Sequence, residues 1–262
     1  MRVGRSHRAS RFLTLLLFAA WFVCGVGPLS AQQEKGQAAG QRPNPKVVAQ
    51  KMVAGWEKQL EAEEELACQG ELGKQPRPRP GGVLLDVQEH IVTGHEELVA
   101  RALRLSALRN LVDHDQRSAL WAIEAARLFW PQVTKDLGSF GTDGRRLEQL
   151  LGQDKLVTED VRPLDLTRRG VLPPRPAAAI RLRYPRPARV AKIEGTVSLR
   201  VFIDRSGDGH WPELLDKTTS TQATCLLLAA LNAVRDTHFH AATKRGLPMP
   251  SFYTVDLKFR NP

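Results

Sequence analysis

The chain has 262 residues, 42% hydrophobic and 25% charged, with a formal net charge of +10. That balance excludes a disordered chain and allows one large or two small folded domains. The basic surplus is mostly arginine spread through every segment, with no aromatic-rich single-strand platform and no groove-reading motif beside it. Nucleic acid is therefore not an expected partner, and an anionic membrane surface or cell-wall polymer is the more economical target.

In chain order, Arg2, Arg5, Arg8 and Arg11 precede an apolar run from Phe12 to Cys24, and Gly27-Pro28-Leu29-Ser30-Ala31 follows. These are the basic, apolar and small-residue regions of a secretory signal, so residues 1–31 read as an export leader. The apolar run falls short of the roughly twenty residues of a comfortable span, and Leu29-Ser30-Ala31 suits cleavage before Gln32. The alternative is an uncleaved signal anchor through residues 12–27. The expected location is the periplasm, free or anchored in the inner membrane.

Residues 32–43 form a polar linker, and a mainly helical region over residues 44–160 follows. Asn44-Pro45 reads as an N-cap with proline at the first helical position. The helix continues through Val48, Met52, Trp56 and Leu60, on one stripe, to about Ala67, and Gly70 stops it. Its acidic cluster, Glu61, Glu63, Glu64 and Glu65, reads as a solvated face. A stiff Pro/Gly break at 75–82 precedes a helical hairpin. The first arm runs from about Asp86 or His95 to Leu111, with Leu98, Ala102, Leu105 and Leu108 inward. The second starts near Asp115 and carries Leu120, Ile123, Ala126 and Trp130, with Asp113-His114-Asp115 as turn and cap. Leu147, Leu150 and Leu151 mark one more short helix, and residues 161–183 read as a proline-rich linker.

The rest of the chain changes period. Val197, Leu199, Val201 and Ile203 alternate with Thr196, Ser198 and Arg200, the pattern of a half-buried antiparallel strand that ends in the turn Asp204 to Gly209. Over Thr224 to Thr237, Leu227, Leu228, Leu231 and Val234 fall at helical spacing. After the turn residues Arg245-Gly246-Leu247-Pro248, Tyr253, Val255, Leu257 and Phe259 alternate with Thr254, Asp256, Lys258 and Arg260. The expected class is α+β: a small antiparallel sheet packed on one helix, preceded by the helical region.

This segment, residues 184–262, resembles the C-terminal domain of TonB-family energy transducers. The likeness rests on Tyr184-Pro185 with Ala188-Arg189, Ile193-Glu194-Gly195 before the first strand, and the aspartate-glycine turn. Ala233-Val234-Arg235 on the helix, Phe239 after it and Gly246 before the last strand complete it. Where the family has a glutamine-rich lead before Tyr-Pro, this chain has Arg181-Leu182-Arg183.

The resemblance implies strand addition, in which an extended segment of an outer-membrane receptor or other envelope protein joins an open sheet edge. It places the partner on Phe252, Tyr253, Thr254, Val255, Asp256, Leu257, Lys258 and Phe259, with Arg183 and Tyr184 nearby. The same edge offers a template for a homodimer. Inner-membrane motor proteins are implied only if the leader is an uncleaved anchor, and the histidine usual in the family's anchors is absent between Phe12 and Gly27. The competing expectation is a periplasmic scaffold without energy coupling, with the helical region as its binding element.

An enzyme is not expected. The chain has no Gly-x-Ser-x-Gly elbow, phosphate loop, His-Glu-x-x-His helix or paired Cys-x-x-Cys. No cofactor is implied. His238 and His240 share a two-residue spacing that metal sites use, without a close Cys or carboxylate partner, and no metal is expected. Once the leader is cut, Cys68 and Cys225 remain, read as locally packed residues with a bridge as the alternative.

Overall fold

A computed structural model describes residues 45–74, 82–91, 93–159, 170–215 and 223–260. All of them fall within one unit, Asn44–Pro262. The leader, the polar linker and almost all of the Pro/Gly break lie outside the described residues.

The first helix, α1 (Pro45–Cys68), buries Trp56 and Leu60. It ends where Gly70 takes φ +70: the Gly70 amide donates to the Ala67 carbonyl and the Glu71 amide to that of Leu66, a Schellman closure. The expected first arm of the hairpin is two helices, α2 (Gly82–His90) and α3 (Glu96–Val112). The break is conformational, because Gly94 and His95 both have positive φ and no helix can pass through two such residues. At the far end of α3, His114 occupies the left-handed position at φ 64. Asp115 then caps α4 (Gln116–Phe129), accepting from the Ser118 amide at 2.9 Å.

Two 3₁₀ turns, Pro131–Thr134 and Leu137–Phe140, lead into α5 (Gly141–Glu159), much longer than the short helix its three leucines announce. Helices α3 and α4 pack as the central hairpin, and α1, α2 and α5 each lie against α3. Close approach comes from alanine: Ala100, Ala102, Ala107, Ala119, Ala122, Ala125 and Ala126 are all buried there.

The acidic cluster corrects the expectation of a solvated face. Glu61 and Glu65 are exposed, but Glu63 and Glu64 turn inward and tie α1 to α3. Glu64 accepts from Arg101 Nε at 3.0 Å and Nη2 at 2.7 Å, and from Arg104 Nη2 at 2.7 Å. Glu63 accepts from Arg109 at 2.9 Å. The nearly buried Arg104 guanidinium also lies 4.5 Å from the centre of the Phe140 ring. Burial pushes the Glu64 carboxyl up, but hydrogen bonds and charge from Arg101 and Arg104 outweigh it and hold the group below its ordinary range.

Part of the proline-rich stretch is built into sheet. β1 (Val171–Leu172) and β2 (Arg175–Pro176) pair antiparallel with β6 (Ala242–Lys244) and β5 (Phe239–His240) respectively. A short helix α6 (Arg186–Val190) follows Pro185. The main sheet has β3 (Gly195–Ile203) at its centre, with β4 (Gly209–Leu214) on one side and β8 (Ser251–Phe259) on the other. Between them come α7 (Thr224–Arg235) and the hairpin of β6 with β7 (Leu247–Met249). That hairpin turns on Arg245 (φ 53) and Gly246 (φ 81), two consecutive positive-φ residues as a type I′ turn requires, so Leu247 and Pro248 belong to strand instead of turn.

The inner face of β3 and β8, with Val197, Leu199, Val201, Ile203, Val255, Leu257 and Phe259, joins Leu227, Leu228, Leu231 and Val234 of α7 in one core with the helical layer. The β3–β4 turn is drawn shut by the Asp204 carboxylate, whose Oδ1 accepts from the Ser206 amide at 2.8 Å and the Asp208 amide at 2.9 Å. Gly207 must be glycine: φ is +90, and a Cβ there would collide with the Phe239 carbonyl.

Candidate protein-interaction site

The two edges of the main sheet differ. β4 is six residues long and contains Pro212, which offers no amide proton, and α4 runs alongside it. Arg117 of α4 pairs with Asp208 at 2.7 Å, and Glu124 and Arg127 share a hollow with Trp211, Pro212 and Glu213. β8 is nine residues long, contains no proline and pairs along its whole length with β3, from Gly195↔Phe259 to Ile203↔Ser251. Among the described residues no strand pairs with its other edge.

The side chains of β8 divide by pleat. Val255, Leu257 and Phe259 are buried, and Tyr253 packs on Phe239 with ring centres 5.4 Å apart. The side chains of these four are on the core side of the sheet and their backbone groups face β3, which leaves the backbone of Phe252, Thr254, Asp256 and Lys258 toward the open edge. Phe252 lies on the opposite face against Phe202 at 5.5 Å, with the Arg200 guanidinium 5.4 Å from its ring centre. Thr254, Asp256 and Lys258 are exposed, and Asp256 accepts from Ser198 Oγ at 2.6 Å. Tyr184 reaches the end of the same strand: its ring centre is 6.2 Å from that of Phe259, and its hydroxyl donates to the Ile193 carbonyl at 2.6 Å. Arg183 lines a groove formed with α2 and α7.

Arg181, Arg186, Arg189 and Arg235 line that groove too, and the sequence reading did not single out their convergence. The available signal was the spacing of four arginines within nine positions on both sides of Tyr184-Pro185. His238 lies 3.7 Å from Asp208, His240 is exposed, and among the described residues no group of three or more His, Cys, Asp or Glu gathers to hold a metal ion. Cys68 is exposed, and Cys225 is buried with its thiol pushed up by desolvation; the two are not bridged.

The segment is a small antiparallel sheet on one helix, with β4 guarded and, among the described residues, the outer edge of β8 unpaired. Residues 180–260 match the family described as Gram-negative bacterial TonB protein C-terminal, and this segment is a C-terminal domain of the TonB type, with the envelope interaction role that this entails. No curated protein and no solved structure matches the chain. Among the described residues no helix is long and apolar enough to cross a membrane, and the leader lies outside them.

Proposed function

We propose that this is a periplasmic TonB-like interaction protein that binds an outer-membrane, TonB-dependent-receptor-like partner by adding a partner strand to β8, and that this contact contributes to energy-coupled transport. The observation that carries the reading is the nine-residue, proline-free β8, paired on one edge and open on the other. Backbone groups supply the binding, and Thr254, Asp256 and Lys258 supply what side-chain selectivity the exposed pleat allows. No catalytic side chain is needed.

Adjacent residues in a strand direct their amides to opposite edges. Of Thr254→Pro and Val255→Pro, one therefore removes a donor facing β3 and the other a donor facing the open edge. Binding of a labelled peptide from the periplasmic N-terminal segment of a TonB-dependent receptor is expected to fail in the variant that keeps its thermal stability. Retention of binding in that stable variant would sink strand addition at β8.

A second reading, a periplasmic scaffold without energy coupling, is favoured by the packed helical layer that stands between leader and sheet domain where a transducer would use a long spacer. Fractionation separates the two: full-length protein in the inner membrane supports coupling, whereas soluble product beginning at Gln32 supports the scaffold.

A further inference from the structure

The face of the main sheet turned away from α7 carries an aromatic cluster that strand addition at β8 does not use. Phe202, on that face and only 2% exposed, is covered by Trp211 at a ring-centre distance of 4.8 Å and by Phe252 at 5.5 Å. A bulge places Trp211 there: the register of β3 with β4 shifts between Arg200↔Glu213 and Phe202↔His210, so Trp211 and Pro212 together stand opposite Val201. In that bulge Trp211 takes φ 44, a left-handed conformation that glycine adopts freely and a bulky ring does not. The chain thus carries its largest kind of side chain where local sterics favour the smallest.

Trp211 lines a hollow of about 530 Å³ between the sheet and the helical layer, within the size range of small-molecule sites. Trp211, Pro212 and Phe252 form its sheet side, and Leu137 and Leu151 supply apolar surface from the helical side. Polar groups stand beside these walls. Glu124 accepts from Arg127 at 3.0 Å and Glu213 from Arg200 Nε at 2.8 Å, so these two carboxylates are matched and fixed in place. Thr134 and Glu148 also line the hollow, and neither has a hydrogen-bond or ion-pair partner among the described residues. With most of its charge matched, the hollow has little with which to select an anion or a polycation. It offers an aromatic wall beside oriented donors and acceptors.

We propose that this hollow binds a pyranose-containing saccharide. A pyranose ring has a face of C–H groups and a belt of hydroxyls. The C–H face lies on Trp211 and Phe252, and the hydroxyls meet Glu148, Thr134 and the locked pair of Glu124 with Arg127. The site does not come with the family's domain, because Glu124, Arg127, Thr134, Leu137 and Glu148 all lie outside residues 180–260. It uses the face of the sheet, so a bound saccharide leaves the outer edge of β8 free.

The test is saturation-transfer NMR of the full chain with two soluble probes, N-acetylchitotriose for amino-sugar glycans and maltotriose for plain hexose glycans. Transfer from the protein to the ring protons of at least one probe is expected, and the probe that responds assigns the source of the sugar. Glycine suits the backbone at position 211, so Trp211→Gly is expected to keep a cooperative thermal transition while weakening saccharide binding about tenfold or more. Glu148→Gln, at an exposed position, should weaken it about threefold with Tm unchanged. No transfer to either probe would overturn the proposal, as would undiminished binding in a folded Trp211→Gly protein. If Trp211→Gly unfolds, Glu148→Gln decides, and unchanged affinity there overturns the proposal. Failure of strand addition at β8 leaves the saccharide result standing, so the two surfaces are judged separately.

Discussion

Glu63 and Glu64 in the helical layer are held by Arg101, Arg104 and Arg109, so its inward-facing charges are matched within the layer. In the sheet domain, by contrast, β8 presents a row of backbone groups that no described strand satisfies. Charged groups turned inward must find partners during folding, whereas an open strand edge is kept hydrated and can exchange water for another chain later. The inward charges of α1 and α3 are thus used within the layer, and the main sheet keeps one edge unpaired among the described residues.

The largest expected effect lies where the two regions meet. Trp121 of α4, 5% exposed, stands 3.7 Å from the Cβ position of Gly209 at the start of β4. Trp121→Ala should cost about 4 kcal/mol. In guanidinium titrations followed by circular dichroism, one shifted transition is expected, and two separate transitions would show that layer and sheet fold independently. Within the sheet domain, Gly207→Ala forces a side chain against the Phe239 carbonyl at positive φ and should cost about 3 kcal/mol, read as a lowered Tm. An unchanged Tm would mean that the β3–β4 turn yields easily.

Within the layer, Glu64→Gln leaves two arginines short of a counter-charge and should cost about 2 kcal/mol at neutral pH. The folded-state pKa of Glu64 is depressed, so its contribution is full above the unfolded value of about 4.3 and is lost as pH falls through the folded value. The stability gap between wild type and variant should therefore close in acid, and a gap that persists there would assign the effect to packing. Asp115→Ala, which removes only the α4 cap, should cost about 1 kcal/mol by the same titration.

The alternating strands, the α7 stripe and the Asp115 cap were legible because each is local: period, spacing and capping chemistry lie within a few residues. The inward turn of Glu63 and Glu64 was not, since their partners are 37 to 46 positions away and a charge run looks the same whether solvated or paired. Short strands β1 and β2 were hidden for a related reason. Two-residue segments beside prolines carry no period, and only their partners β6 and β5 make them strands. The β8 edge could be anticipated from its alternation and the family resemblance, but the guarding of β4 by α4 and Pro212 needed the tertiary contact. The arginine groove was invisible for the same cause, because Arg235 joins the others only after folding.

The unequal edges of the main sheet also set a valency. A sheet with two open sides propagates without end, since each strand that joins leaves a fresh edge on both flanks of the growing stack. Here β4 is obstructed, so whatever joins β8 finds no second open side on the main sheet among the described residues. A second copy meeting edge to edge would use up both open sides and stop at a closed pair. Within the main sheet, strand pairing is thereby left to the β8 side, with one proline and one helix set against β4.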